Sequence, residues 1–458
     1  MTPARLAAAR VLIAVERGRT SLAVEVERER ADVADPRERG LLLEIAAGVL
    51  RWQRALDACL TACSKRPLGE LDPSVRAVLR SGAYQLLHLD RIPAHAVVHE
   101  AVNTVRTLGQ ARAAGFVNAV LRALTRKRDS TLPRRPRDHG EHGKNTGRGL
   151  LRYLGVTLSH PDWLVARWVD RYGFEATEAW CKFNNESAEV SVRPVPGLSV
   201  DGLMAKLADA GVTASPGVLV ADCLRLPAGS LGRLDSETRA SLMIQEEASQ
   251  LVAHAVGARA GDRVLDVCAA PGGKSVVMAQ GMKQRGLLVS ADLRSNRLEM
   301  LKTTLARLDV HAQVVAADAM SPLPFGAAFD RVLIDVPCSG LGTLRRDPDL
   351  KWSRTEADLP RLADDAGRML AHAAGAVRDG GLLVYATCSS EPEENEAVVA
   401  AFLHGHSQFA LERPAAVSAV PGLDRVIDPA GYLRTLPFRD GLDAFFAAAL
   451  RRRGPAGL

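Results

Sequence analysis

Two cysteines stand in surroundings suited to thiol chemistry. Cys338 lies in Pro337-Cys338-Ser339, directly after an apolar run (331–334) that ends on Asp335. Cys388 lies in Thr387-Cys388-Ser389, directly after a second run, 381–386. A thiolate is a strong nucleophile toward an electron-poor carbon, and its activity depends on a lowered pKa or a neighbouring base. A lone cysteine is more often a small buried hydrophobe. Two at the ends of matching strands, on one rim of a sheet, argue for a shared reaction centre.

The elements that must position them begin at Arg263-Val264-Leu265-Asp266-Val267, a run of the length and type of a buried parallel strand. It passes straight into Cys268-Ala269-Ala270-Pro271-Gly272-Gly273-Lys274, so the spacing predicts strand, glycine turn, helix. Small residues let a ligand approach the backbone, Pro271 stiffens the turn, and a helix starting near Lys274 turns free N–H groups toward the ligand. The turn has the spacing neither of a P-loop nor of G-x-G-x-x-G, so alone it names no ligand. Runs at 287–291 and 312–317 end at Asp292 and Asp318, so with Asp335 three successive candidate strands finish on a carboxylate. In open α/β sheets ligands bind beyond the carboxyl ends of the strands, and a ribose-binding acid stands about 20 residues past the glycines, where Asp292 is. One such Asp could simply cap the next helix. Three in register favour a ligand, on the same rim as both thiols.

The series Cys268 to Lys274, Asp292, Asp318, Asp335-Val336-Pro337-Cys338-Ser339-Gly340 and Thr387-Cys388-Ser389 resembles the S-adenosylmethionine-dependent RNA cytosine-5 methyltransferases. Within them it is most similar to the bacterial RsmB (Sun or Fmu) branch, which modifies small-subunit ribosomal RNA. Arg345-Arg346-Asp347-Pro348-Asp349-Leu350-Lys351-Trp352 is similar to that branch's R-R-x-P-D-x-K-W run. Met243-Ile244-Gln245-Glu246-Glu247-Ala248-Ser249 resembles the run preceding its sheet. Arg91-Ile92-Pro93-Ala94-His95 with Gly115-Phe116-Val117-Asn118 resembles its opening NusB-like domain. Two departures stand out. Arg193 is followed by Pro194 where the family has Asn, and Leu442-Asp443-Ala444 separates Asp440-Gly441 from the aromatic pair Phe445-Phe446.

The resemblance implies S-adenosylmethionine as cofactor, bound by Cys268, Ala269, Ala270, Pro271, Gly272, Gly273, Lys274, Asp292, Asp318 and Asp335. It also implies that Cys388 is the nucleophile and that Cys338 assists release of the methylated product; the residues by themselves say only that both thiols reach the site. Asp335 is expected to touch the cytosine edge, and Lys274 and Arg346 to offset negative charge. Cytosine C5 is a poor nucleophile, and a thiolate adding to C6 pushes electron density onto C5. A target base in structured RNA must be unpaired or flipped out.

The fold implied is multidomain. Residues 1–125 form an all-α NusB-like RNA-binding domain, 126–150 a basic flexible linker, 151–235 a small α+β RNA-binding module, and 236–458 an α/β Rossmann-like methyltransferase domain. Local signals agree. Thr2-Pro3, Asp35-Pro36 and Asp72-Pro73 read as helix starts, with Asp35 and Glu38 as a capping box. Val75, Val78, Leu79, Gly82 and Leu86 form one apolar stripe. Residues 126–148 are basic and nearly devoid of apolar side chains, too polar to offset the entropy of ordering. Glu393-Glu394-Asn395-Glu396 reads as a helix start with favourably placed acids, and 441–446 as part of an antiparallel edge hairpin.

Whole-chain properties narrow the class. With 458 residues, 47% hydrophobic and 24% charged, the chain has the composition of a globular protein. The net charge of +6 suits a polyanionic partner, here RNA. Seven scattered cysteines make a poor disulfide framework. Cys59 and Cys63, one helical turn apart, read as core, and His95 and His99 as surface or packing residues, so no metal is expected. No run reaches the ~20 apolar residues of a membrane span, and the opening residues lack the architecture of a secretion signal. A cytoplasmic monomer is expected. The alternatives are a tRNA cytosine-5 methyltransferase, or a noncatalytic RNA-binding assembly or antitermination factor.

Overall fold

The computed structural model describes residues 2–18, 20–126, 132, 135, 144–414 and 420–454. The chain divides into two compact units, Met1–Glu186 with Leu344–Glu356, and Ser187–Thr343 with Ala357–Leu458.

The first unit is helical. Pro3–Glu16, Leu22–Arg30, Pro36–Thr61, Pro73–His88, Ala94–Thr107 and Ala114–Arg126 pack around Leu42, Ile45, Leu56, Leu60, Leu79 and Leu121. The stripe from Val75 to Leu86 is buried, and a Cβ on Gly82 would lie 2.7 Å from Leu121 Cδ1, which is why the helices can approach there. Asp35 and Asp72 cap as expected, accepting from Arg37 N and Ser74 N. The capping box is not formed. Glu38 instead accepts from Ala4 N of the first helix, whose own cap residue Thr2 makes no side-chain cap bond. The basic stretch 126–150 falls largely outside the described residues. Its end, expected to be flexible, is helical: Lys144–Arg152 runs into a π-turn, Tyr153–Thr157, whose Tyr153 and Leu154 are buried. Those apolar side chains supply the burial that the preceding polar run lacks.

Two further helices, Asp162–Tyr172 and Phe174–Asn185, stack Trp168 on Trp180 with ring centroids 4.2 Å apart. His160 lies beside them with no exposure. Its Nδ1 contacts Leu158 O at 2.7 Å and its Nε2 contacts Asn184 Nδ2 at 3.1 Å. A carbonyl can only accept, so Nδ1 carries the proton and Nε2 accepts, the pattern of a neutral imidazole. Burial holds its pKa well below 6.5. The unfolded chain therefore takes up a proton as pH falls below 6.5 and the folded one does not, so acid removes stability. All five tryptophans belong to this unit, so their fluorescence reports its unfolding. The fluorescence-detected urea midpoint is expected to drop between pH 7 and 5, with a slope of up to about 1.4 kcal/mol per pH unit from this one group. The drop should be shallower in His160→Gln; equal slopes would refute the assignment.

The second unit contains two sheets. The small one has the order β2-β3-β1-β4, with β1 Val190–Pro194, β2 Ser215–Pro216, β3 Leu224–Leu226 and β4 Leu242–Ile244, all antiparallel. The helix Val200–Asp209 covers it with Leu203 and Leu207. Because β4 pairs with β1, the small module reaches beyond the boundary expected at 235. The R-P departure sits at the last paired position of β1, Pro194 opposite Leu242. Arg193 is buried there, with Nη2 hydrogen-bonded to Gln280 Oε1.

The large sheet has the order β10-β12-β9-β8-β5-β6-β7, with β11 (Leu433–Arg434) paired to β12. β5 Arg263–Val267, β6 Leu287–Asp292, β7 Gln313–Ala316, β8 Phe329–Asp335 and β9 Val377–Thr387 are mutually parallel. Their apolar residues alternate between two cores. Leu382 and Val384 face helices Glu247–Ala255 and Gly273–Gly281, whereas Leu383 and Tyr385 face Asp358–Ala374 and Glu396–Gly405. Burial on both faces explains the near-continuous hydrophobic runs. β10 Phe409–Glu412 and β12 Phe446–Arg452 close the sheet. The antiparallel pair expected at the sheet edge is present: β12 runs antiparallel to both β9 and β10, and β10 takes the outermost position. Seven-residue β12 is buried over its first five positions, as an inner strand must be. The chain leaves β5 for β6 and β7 on one side and returns to β8 and β9 on the other, so the strand order reverses at the carboxyl end of β5.

Candidate active site

β8 and β9 are parallel neighbours with Asp335 opposite Ala386, so the turns that follow them emerge side by side. Val336 N bonds to Ala386 O at 3.0 Å, extending the pairing toward the first cysteine. The consequence is direct contact: Cys338 Sγ and Cys388 Sγ lie 3.3 Å apart. The hydrogen bond with Cys388, together with burial, pushes the Cys338 pKa well up, so that thiol keeps its proton at neutral pH.

One glycine makes this approach possible. Gly342 N donates to Cys388 O at 2.9 Å, and Gly342 O accepts from Ala444 N at 3.0 Å. A Cβ there would lie 2.0 Å from Ala444 O and 2.7 Å from Cys388 O, both backbone atoms that cannot swing aside. The inserted Leu442-Asp443-Ala444 thus has a structural place. It is buried, tied by Thr435 Oγ1 to Asp443 O at 2.6 Å, and backs the loop carrying Cys338. Gly342→Ala is expected to destabilise this unit by about 3 kcal/mol or more through overpacking, read by circular dichroism melting, and to abolish turnover. A variant that melts and reacts normally would refute the close approach.

The glycine turn lies at the reversal point, where ligands of open α/β sheets bind. Gly272 has φ +105, a conformation that L side chains rarely adopt, and the Ala270–Pro271 peptide is cis. Asp292 accepts from Ala270 N at 3.1 Å and from Leu293 N at 2.9 Å, and pairs with Arg297 at 3.0 Å. Asp318 Oδ1 accepts from Met320 N at 2.9 Å. Asp335 pairs with Lys274 Nζ at 2.6 Å. Only 14% of the Lys274 side chain is exposed, in keeping with its expected role of offsetting negative charge. Burial works against its charge, yet Asp335 together with Asp266 and Cys388 outweighs burial and its pKa is raised. Cys268, at φ +61, is pushed up to about 12 by burial, so it serves the turn's shape rather than thiolate chemistry.

Several residues escaped the sequence reading. Asp266 on β5 is 1% exposed, accepts from Ser275 Oγ at 2.6 Å, and is pushed up to about 7 by burial. Its other oxygen has no hydrogen-bond partner among the described residues. Glu394, expected in the first turn of a helix, is fully buried, and the helix begins only at Glu396. It accepts from Ser339 N, Ser339 Oγ and Ser389 Oγ. A serine directly after each cysteine was the available signal; their common acceptor lies five residues after Ser389 but 55 after Ser339. The R-R-x-P-D-x-K-W run proved structural at its end. Lys351 and Trp352 are embedded in the helical unit, with Lys351 Nζ donating to Arg51 O, Ser159 O and Asn185 Oδ1.

S-adenosylmethionine fits the reversal point on the chemistry of the residues present. An orphaned buried oxygen on Asp266 lies on the strand leading to the turn, with carboxylates at the ends of β6 and β8 and just beyond β7 to receive hydroxyl and amino donors. Leu293, 56% exposed beside Asp292, offers an apolar face.

Comparison with known proteins agrees in every domain. Family models described as "NusB family", "Methyltr_RsmF/B-like, ferredoxin-like domain" and "16S rRNA methyltransferase RsmB/F" match residues 2–126, 160–230 and 253–451. The chain is 34% identical to the probable ribosomal RNA small subunit methyltransferase B of Bacillus subtilis over 91% of each chain. It is 35% identical to ribosomal RNA small subunit methyltransferase B of Pseudomonas putida, over 87% of this chain and 88% of that one. The crystal structure of PH0851 shares the fold over 99% of both chains, with TM-score 0.79 and 24% identity. NSun6 from Pyrococcus horikoshii, solved with SFG, shares it over 64% of this chain and 98% of its own, with TM-score 0.56 and 21% identity. With a NusB domain, a ferredoxin-like module and a methyltransferase sheet in that order, the chain belongs to the RsmB family of S-adenosylmethionine-dependent ribosomal RNA methyltransferases.

Proposed function

We propose that the chain methylates C5 of one cytosine in small-subunit rRNA through a transient covalent bond between Cys388 and C6 of the base. The observation that carries this reading is the 3.3 Å contact of two thiols at the rim of the cofactor crevice. Direct attack by a ring carbon on a methyl donor has no use for a thiol. A covalent route needs one sulfur to add and help for its departure.

In this reading the turn from Cys268 to Lys274, with Asp292, Asp318 and Asp335, holds the cofactor. Bound there, S-adenosylmethionine supplies an electrophilic methyl group. The Cys388 thiolate forms a bond to C6, and the electron pair of the C5–C6 double bond shifts onto C5. Asp335, held by Lys274, offers an acceptor to the exocyclic amino group of the base. After C5 carries the methyl group, its proton passes to water at the rim, the C–H pair re-forms the double bond, and the C6–S bond breaks with its pair returning to sulfur. Cys338 assists that last stage. The target base must be extruded or already unpaired.

The test is a labelled-methyl assay on unmethylated small-subunit rRNA and on tRNA, followed by nucleoside mass spectrometry. Label in 5-methylcytidine of the rRNA is expected. Label confined to tRNA would overturn the substrate, and label in another nucleoside the chemistry.

A further inference from the structure

Glu394 and the two serines form a device that repeats itself around each thiol. Ser339 follows Cys338, and its Oγ accepts from Leu341 N, two residues on, at 3.4 Å. Ser389 follows Cys388, and its Oγ accepts from Glu391 N, also two residues on, at 3.1 Å. Each hydroxyl thus shapes the turn behind its own cysteine, and each has one proton left to donate. Both protons go to the same atom: Ser339 Oγ and Ser389 Oγ donate to Glu394 Oε2, while Ser339 N donates to Oε1 at 2.7 Å. The hydroxyls lie 3.1 Å apart because they share an acceptor. Glu394 is 0% exposed and each serine 1%. Its backbone is fixed in turn, since Tyr385 of β9 donates its hydroxyl proton to Glu394 O, and Asn395 Nδ2 donates to Ser389 O at 3.0 Å.

We propose that Glu394 is a positioning residue for the two-thiol reaction: one buried carboxylate clamps both cysteine turns, fixing the separation of Cys338 and Cys388. The proposal rests on the covalent reading above. The carboxylate is suited to the task because an ionised group accepts several hydrogen bonds at once, and charge-assisted bonds are about twice as strong as neutral ones. A glutamine cannot replace it, since its amide nitrogen is a donor facing donors. Burial raises the Glu394 pKa, and the three serine donors act against that. Its negative charge is also among the influences that keep the proton on Cys338, behind the Cys388 hydrogen bond and burial.

The experiment compares wild type with Glu394→Gln and the milder Ser389→Ala, each first checked for S-adenosylmethionine binding by calorimetry. Two readouts are taken. The first is kcat and KM on rRNA; kcat is expected to fall about 100-fold in Glu394→Gln and about 10-fold in Ser389→Ala, with KM within twofold. The second needs no turnover: diamide takes up the two electrons and two protons lost when Cys338 and Cys388 join as a disulfide, and mass spectrometry follows that product. Its formation should slow at least tenfold in Glu394→Gln, and the alkylation profile of Cys338 should move to lower pH. Unchanged kcat in both variants overturns the proposal, as does an unchanged disulfide rate. Failure of the covalent reading itself appears elsewhere, as methylation that survives Cys388→Ala in a chain whose Glu394 is intact.

Discussion

Cys388→Ala is expected to lower methyl transfer to rRNA by roughly 10⁴-fold or more, the scale on which loss of a covalent nucleophile acts. Cys338→Ala is expected to behave differently, accumulating a protein–RNA adduct that survives denaturing electrophoresis. The asymmetry follows from their roles. Without Cys388 no C6–S bond forms and C5 stays a poor nucleophile; without Cys338 the bond forms but its breakage is slowed. Neither result should come from unfolding. Both side chains are only partly buried at the rim, and the loops that carry them are held by backbone bonds and by Glu394. Circular dichroism and cofactor binding should therefore match wild type. An adduct in Cys388→Ala and none in Cys338→Ala would exchange the roles. Full activity in both would end the covalent mechanism.

Lys351→Ala is expected to destabilise the helical unit by about 3–5 kcal/mol. Lys351 is 1% exposed, and its three acceptors are neutral oxygens: Asn185 Oδ1 at 2.8 Å, Arg51 O at 3.2 Å and Ser159 O at 3.3 Å. Arg51 O keeps its donor within the helix Pro36–Thr61, but alanine would leave Asn185 Oδ1 and Ser159 O buried without the amine, each at about 1–3 kcal/mol, and open a cavity as well. Burial lowers the Lys351 pKa well below 10.5. Lys351→Met should recover packing but not the hydrogen bonds, and so fall between alanine and wild type. Tryptophan fluorescence during urea unfolding measures this unit alone, because Trp52, Trp163, Trp168, Trp180 and Trp352 all belong to it. A loss below about 1 kcal/mol would mean that the amine contributes little beyond what water would supply.

Much of the catalytic sheet was legible because its evidence is local. A run such as 263–267, with Val264, Leu265 and Val267 among five residues and a glycine turn directly after it, reads as a buried parallel strand, and the residue after its end then lies on the carboxyl rim of the sheet. That logic located the glycine turn, Asp335 and both thiols to within a residue or two. Local signals failed where a side chain had a distant partner. Glu38 fits a capping box by spacing, yet it caps another helix, 34 residues away. Residues 393–396 fit a helix start by composition, yet Glu394 serves Ser339, 55 residues back.

The same division holds for the whole chain. Sequence by itself marked the strands of the large sheet and most helices of the first unit, the glycine turn between β5 and its helix, and the rim on which Asp335 and both thiols emerge, since these follow from backbone geometry and the period of apolar residues. Tertiary structure alone decided that β12 enters between β9 and β10, that Gly342 must have no side chain, and that one carboxylate joins two cysteine turns. It also decided that the lysine of the K-W pair is core. Each of those outcomes is a contact between segments whose meeting depends on sheet order and packing, and no pattern within either segment encodes which partner it will find.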